Sequence, residues 1–347
     1  MASNLNVSIK MFRIGELGDS FLISFDKESE NSHILIDFGS FRNSTKSIIH
    51  LQNLAREILM HCKDNIDIVV GTHQHNDHVS GFYHCHDLFK NKVKQVWLSW
   101  LDNPKIKLAE TLGKEHNDLQ SLAFKINEEI SKANKNSKKL RSDIPENIND
   151  IMGFYGAKTP EVPLQGIKIL KELGLKEIKY LMPGKTESIN EAFKDDVKIY
   201  VLGPPMDKAK LYDIKPNSNE TYDPHLTYAV NSGNNLYSAL LNHNNQGSKD
   251  EENYPFNKSF KIGEEDSQSS LNFSDVDFNN TQDIIKLYRN SINKWKTVDN
   301  DWLEQASRIA LYLDSYTNNS SLVLAIELVK SGKVLLFAGD AQTGNWL

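Results

Sequence analysis

Between Val7 and Ile14 apolar and polar residues alternate, the period-two pattern of a strand buried on one face. Two short apolar runs follow, FLISF (Phe21–Phe25) and HILIDFG (His33–Gly39), with the polar stretch DKESENS between them. The pair predicts a hairpin with a long turn. From Ser44 to Cys62 the apolar residues Ile48, Ile49, Leu51, Leu54, Ile58 and Leu59 recur at helical spacing. IDIVVGTH (Ile66–His73) is rich in β-branched residues and predicts a strand buried on both faces; KQVWLSW (Lys94–Trp100) predicts another.

Lys105–Arg141 is rich in Lys and Glu with Leu and Ile at intervals, which predicts one or two amphipathic helices with a solvated face. Pro163–Leu173 predicts a helix, with a proline in its first turn and Gly174 just past its end. Strands are expected at Glu177–Met182 and Val197–Gly203, the latter stopped by Pro204 and Pro205. Asn, Ser, Asp and Glu dominate residues 217–280, which are expected to form a polar, partly mobile surface insertion. Residues 281–297 and 301–313 look helical, and Ser321–Leu328 and Lys333–Gly339 predict two strands joined by VKSG. The rhythm is that of a single α/β domain over 1–347, with a helical insertion at about 104–150 and the polar one at about 217–280.

Composition narrows the class. With 39% hydrophobic and 25% charged residues the chain can bury a core, which excludes a wholly disordered protein. It has no run of eighteen apolar residues and no basic N-terminus leading into an apolar stretch, so neither a membrane span nor a secretory signal is expected. Two cysteines, Cys62 and Cys85, are too few for a disulfide framework and predict a cytoplasmic, reducing setting. Lys and Arg number 40 against 46 Asp and Glu, a net charge of -6, so only a local basic cleft would attract nucleic acid or anionic lipid.

The chemistry concentrates in THQHNDHVSG (Thr72–Gly81), directly after the apolar strand. His73, His75, Asp77 and His78 fall within six residues, a donor set suited to a divalent transition metal. In extended chain, residues i and i+2 share a face, so His73 and His75 can grip one ion. A turn at Asn76 then lets Asp77 and His78 point to a second. FAGD (Phe337–Asp340) ends an apolar strand on a carboxylate, which makes Asp340 a candidate bridge between the ions.

HxHxDH after a buried strand, with a later strand ending in GD, resembles the metallo-β-lactamase superfamily of metal-dependent hydrolases. GELGDSFLISF followed by ILIDFG is similar to the opening of that family's first sheet. TNNSSLVLAIEL before KVLLFAGD resembles the soluble hydrolase domain of ComEC-type DNA-uptake proteins. The likeness covers roughly residues 7–100 and 300–347. It implies a four-layer αββα sandwich with two divalent ions, Zn2+ foremost and Mn2+ or Mg2+ as alternatives. His73 and His75 would hold the first ion, Asp77 and His78 the second, and Asp340 would bridge.

Two departures matter. Many members carry a histidine upstream of GD, where Thr317–Ser321 offers Asn318 and Asn319 instead, a looser completion of the first site. The family also supplies a final histidine well beyond GD, whereas here seven residues follow Asp340. The expectation is a fragment whose second site is completed beyond Leu347; the rival is an incomplete second site with little activity.

The resemblance implies hydrolysis by metal-activated hydroxide, with Asp77 also accepting a proton after attack. The expected substrate is a phosphodiester in nucleic acid or a nucleotide. The alternatives are a carboxylic ester, thioester or lactam, or a non-catalytic metal-binding interaction module. Asp37, at a strand end, is a candidate to orient a metal histidine. Asp19 and Ser20 are expected to shape a turn, His84, Cys85 and His86 to lie apart from the site, and Trp97, Trp100 and Trp302 to be core. His225 or His243 could supply a missing ligand, and Lys185 a phosphate contact, though in each case the plain structural role is favoured.

Overall fold

Ile66–Val70 is buried at every position, and the sheet is built around it. The computed structural model describes residues 5–135, 152–156, 161–211, 233–238, 240–241 and 304–346. They fall in two compact units. The first comprises 1–121, 149–223 and 310–347; the second comprises 122–148 and 224–309.

The first unit holds two sheets and is mixed α/β. Strands β1 (Asn6–Met11), β2 (Phe21–Lys27), β3 (Glu30–Ile36), β4 (Ile66–Val70), β5 (Val93–Ser99) and β6 (Glu177–Leu181) form one sheet in that spatial order. β1 to β3 are antiparallel, and β3 to β6 are parallel neighbours. Helix α1 (Thr45–His61) links β3 to β4, and α2 (Asn76–His84) with α3 (His86–Phe89) links β4 to β5. The Ser44 side chain accepts from the Ser47 N–H at 3.1 Å and caps α1. Leu51, Leu54, Ala55, Ile58 and Leu59 form the buried stripe of that helix.

The period-two geometry of the strands sorts their side chains into two cores. Leu22, Leu35, Val69, Val96 and Leu98 pack with α1, α2, α3 and α5 (Glu161–Leu173). Ile23, Ile34, Ile68, Val70 and Trp97 instead face the second sheet, in which β10 (Lys333–Phe337), β9 (Val323–Leu328), β8 (Val197–Gly203) and β7 (Thr186–Glu187) run antiparallel. Helices, one sheet and a second sheet are thus stacked in that order. The remaining long helices are α4 (Lys107–Lys135) and α6 (Glu304–Asn319).

The hairpin differs from its expectation. β2 and β3 stay paired to Lys27↔Glu30, so DKESENS is mostly strand and the turn is tight. Glu28 makes the reversal at φ 56, in the left-handed region. The second unit is described through 122–135, 233–238, 240–241 and 304–309; there Leu122, Ile126, Leu236, Leu240 and Ile309 are buried. Most of the expected insertion at 217–280, the whole of the helix expected at 281–297, and His225, His243 and Trp302 lie outside the described residues. Among the described residues, no helix is long and apolar enough to cross a membrane.

Candidate metal centre

At the carboxyl end of β4 the chain leaves the sheet through Gly71 and Thr72. His75 is the extended N-cap of α2 (φ -76, ψ 150), so Asp77 and His78 fall in the first helical turn. The turn is held from below. The Asn76 amide donates to the carbonyls of Ser40 and Phe41 at 3.0 and 2.9 Å, and the Asp19 N–H donates to the Asp77 carbonyl at 3.2 Å. Gly39 lies against the same backbone: a Cβ there would stand 2.5 Å from the Asn76 carbonyl oxygen and 2.6 Å from the His78 nitrogen. Only glycine admits so close an approach.

The second sheet contributes from its own edge. The Leu322 N–H donates to the Thr72 carbonyl at 2.9 Å, joining the start of β9 to the end of β4. After β10, Gly339 turns at φ 54 with its Cα against Thr72 and delivers Asp340. The Asp340 carboxylate lies 3.3 Å from His78 Nε2 and 3.7 Å from His73 Nε2. His73, His78 and Asp340 each present one donor atom, all within 4.8 Å of one another. His75 adjoins this group through Nδ1, 3.1 Å from His73 Nε2, and Asp77 adjoins it at 3.6 Å from His78 Nε2. The five predicted ligands therefore meet, although their segments are far apart in sequence.

Hydrogen bonds fix which nitrogens face the group. Asp37 sits at φ 53, and its two oxygens accept from Thr72: the N–H at 2.8 Å and the hydroxyl at 2.6 Å. Having given its proton to Asp37, the Thr72 hydroxyl oxygen accepts from His73 Nδ1–H at 3.0 Å. Asp37 also accepts from His78 Nδ1–H at 2.9 Å. Both imidazoles then turn Nε2 toward Asp340. Asp37 is thereby an orienting carboxylate rather than only a turn former.

The electrostatics match a cation site. Burial first, then the neighbouring imidazoles, holds His73 well below the ordinary value, and the same causes push His75 down to about 3. Both are neutral, lone-pair donors at pH 7. Burial alone would depress His78 too, but Asp77, Asp37 and Asp340 outweigh it and hold its imidazole well above the usual range. A proton on His78 and a metal cation answer the same cluster of negative charge. Burial pushes Asp77 up to about 6. Burial would also raise Asp340, yet the surrounding imidazoles, His78 foremost, hold it well below the usual carboxylate range. Asp77 Oδ1 is buried with no hydrogen bond of good geometry, as expected of an oxygen kept for a cation. His73, His78 and Asp340 could together hold a divalent cation, with His75 and Asp77 adjoining them.

Asp314 is the site residue the sequence pattern did not reveal. It lies on α6, 3.6 Å from His75 Nε2, and accepts from the Asn318 amide at 3.1 Å. Reading the helix over 301–313 stopped it one residue short; α6 runs on to Asn319. A helix carried through would have shown Asp314 one turn before Asn318. Asn318 is buried beside that carboxylate, and the Asn319 carbonyl accepts from the Asn345 amide at 2.8 Å. Phe154 and Tyr155 wall the site with ring centroids 5.3 and 4.9 Å from that of His75.

The other named residues lie apart or do structural work. His84 pairs with Asn43 at 2.9 Å and His86 with Asp87 at 3.4 Å. Burial pushes both the Cys62 and Cys85 thiols up to about 12, so neither offers a thiolate. Trp97 and Trp100 are fully buried, as expected of core. The Lys185 backbone bonds to β8. Asp19 does more than shape a turn: burial raises its carboxyl, and His78, Asp37 and Asp340 all act on it, so it borders the cluster.

Comparisons with protein-family models, curated proteins and solved structures give no match to this chain. The site is read from its own geometry.

Proposed function

We propose that the chain is a metal-dependent hydrolase of the metallo-β-lactamase type, whose stacked helices and two sheets are part of a four-layer αββα sandwich. His73, His75 and Asp340 would hold one divalent ion, and Asp77 and His78, with Asp340, a second, Zn2+ foremost with Mn2+ or Mg2+ as alternatives. The observation that carries this reading is the meeting of His73, from the loop after β4, His78, from α2, and Asp340, from the turn after β10, with donor atoms within 4.8 Å of one another. Structural histidines rarely need a carboxylate from a distant strand as well as one from below.

Bound at such a site, divalent ions supply water activated at neutral pH and positive charge for a developing oxyanion. The protein's own part is positioning and proton handling. Asp37 holds His78 directly and His73 through Thr72, so both imidazoles keep their orientation. Asp77, buried 3.6 Å from His78 Nε2, is the carboxylate placed to take up a proton at the reacting centre. Phe154 and Tyr155 narrow one side and limit water.

The substrate we propose is a phosphodiester in nucleic acid or a nucleotide, which rests on the ComEC-type likeness of the two motif regions. Metal analysis of the purified chain, followed by wild type against His75→Ala on a generic phosphodiester and on a lactam, tests it. Two ions per chain and phosphodiester cleavage lost in His75→Ala are expected. Cleavage of the lactam alone moves the substrate class to acyl compounds, and metal without turnover points to a binding module. A wild type that takes up no metal ends the hydrolase reading.

A further inference from the structure

His75 presents its two ring nitrogens to different partners. Nδ1 is 3.1 Å from His73 Nε2, and the Asp37–Thr72 chain has already put the His73 proton on its other nitrogen. A cation shared by these two histidines would therefore sit at the Nδ1 side of His75. Nε2 is buried and makes no hydrogen bond of good geometry; the Asp314 carboxylate is 3.6 Å away, and the Asn318 side chain, whose Oδ1 is likewise buried without such a bond, also acts on the His75 ring. Asp314 is itself braced, its other oxygen accepting from Asn318 at 3.1 Å within α6.

We infer that Asp314 is a positioning residue for the metal centre, accepting the His75 Nε2–H so that Nδ1 is left as the donor to the ion. This rests on the metal-site reading above. The nitrogens of one imidazole diverge, so an oxygen on Nε2 stands across the ring from an ion on Nδ1. That is far beyond the ~2.0–2.2 Å of a Zn–O bond. Asp314 thus orients a ligand and is not one. A small side-chain shift closes 3.6 Å to the ~2.8 Å of a charge-assisted hydrogen bond. The arrangement repeats on His75 what Asp37 does for His78, with the nitrogens exchanged: Asp37 takes Nδ1–H and frees Nε2. Two carboxylates from separate elements then set the tautomers of two ligands.

The test uses the full chain, titrated with Zn2+ against a chromophoric chelator. Asp314→Asn is expected to bind as many ions as wild type, with the affinity for one of them weakened about 10- to 100-fold. Asp314→Glu, which restores a carboxylate, is expected to recover most of that loss. Nitrogen NMR of the zinc-loaded wild type should show His75 protonated at Nε2, with that signal displaced in Asp314→Asn. Metal-free Asp314→Asn should melt with wild type, and if it does not fold, Asp314→Glu carries the comparison. Unchanged affinity in Asp314→Asn, outright loss of an ion, or a protonated Nδ1 on His75 overturns the assignment while leaving the metal centre standing. A wild type that binds no Zn2+ brings down both, and that result appears before any variant is made.

Discussion

Asp37 accepts from His78 Nδ1 at 2.9 Å while its other contacts fasten the Thr72 N–H and hydroxyl, so one carboxylate ties the end of β3 to the loop after β4 and to α2. It does so from the left-handed region, φ 53, where aspartate is tolerated better than bulkier residues. Asp37→Ala strands buried donors on Thr72 and His78, each costing about 1–3 kcal/mol. The variant should unfold at clearly lower urea than wild type and bind Zn2+ about 10- to 100-fold more weakly. Chelator competition beside a urea titration measures both, and wild-type values in both would remove Asp37 from its assigned role.

Gly39→Ala probes the packing under the same loop. The added Cβ would sit 2.5 Å from the Asn76 carbonyl oxygen and from the Asp77 carbonyl carbon. Backbone must move to admit it, at a cost of about 1–3 kcal/mol or more. Both melting temperature and metal affinity should fall, because the displaced backbone carries Asp77 and His78. Gly184→Ala is the control for an open glycine: its Cβ meets nothing, but its φ of 77 still imposes strain. A drop in stability without a drop in affinity is expected there.

His116 gives a pH dependence of its own. It is buried, stacks on Tyr316 with centroids 4.9 Å apart, and burial pushes it down to about 4. The unfolded chain takes up this proton near 6.5 while the folded protein holds it off until about 4. Stability is therefore full above 6.5 and declines as pH falls through that interval, by about 3 kcal/mol in all at about 1.4 kcal/mol per unit. Urea midpoints measured from pH 7 to pH 4 should show a shallower slope in His116→Phe than in wild type. Parallel slopes would place the pH dependence elsewhere.

Metal should report on the folded state. A ligand that binds only the native chain adds about 2.7 kcal/mol at a hundred times its dissociation constant. Zn2+ is expected to raise the wild-type melting temperature, a chelator to reverse it, and Asp340→Ala and His73→Ala to lose most of the effect. An equal rise in both variants would mean that the ion sits at another place.

What could be read from the sequence follows how local each signal is. His73 to His78 lie in one short stretch, and Asp340 closes an apolar strand, so their residue types and positions carry the signal directly. Asp314 did not, because Ser315, Thr317, Asn318 and Asn319 are weak helix formers, and the helix seemed to end before them. Burial of Ser315, Tyr316 and Thr317 carries α6 on to Asn319. The hairpin forms as expected but with a shorter turn, for a related reason: Asp26↔Asn31 and Lys27↔Glu30 are polar pairs whose extension is dictated by ladder hydrogen bonding, not by side-chain pattern. Strand order, with β6 beside β5 and β9 between β8 and β10, depends on long-range pairing that no short window contains.

The single backbone bond from Leu322 N–H to the Thr72 carbonyl, 2.9 Å long, stitches the two sheets together beside the cluster. The residues proposed to hold metal are divided across that seam, His73, His75, Asp77 and His78 on one side and Asp340 on the other. If the cluster takes up an ion as proposed, its donor set is complete only where the seam is closed. A change that parts the sheets there would then separate Asp340 from the histidines, and loss of the ion would report it.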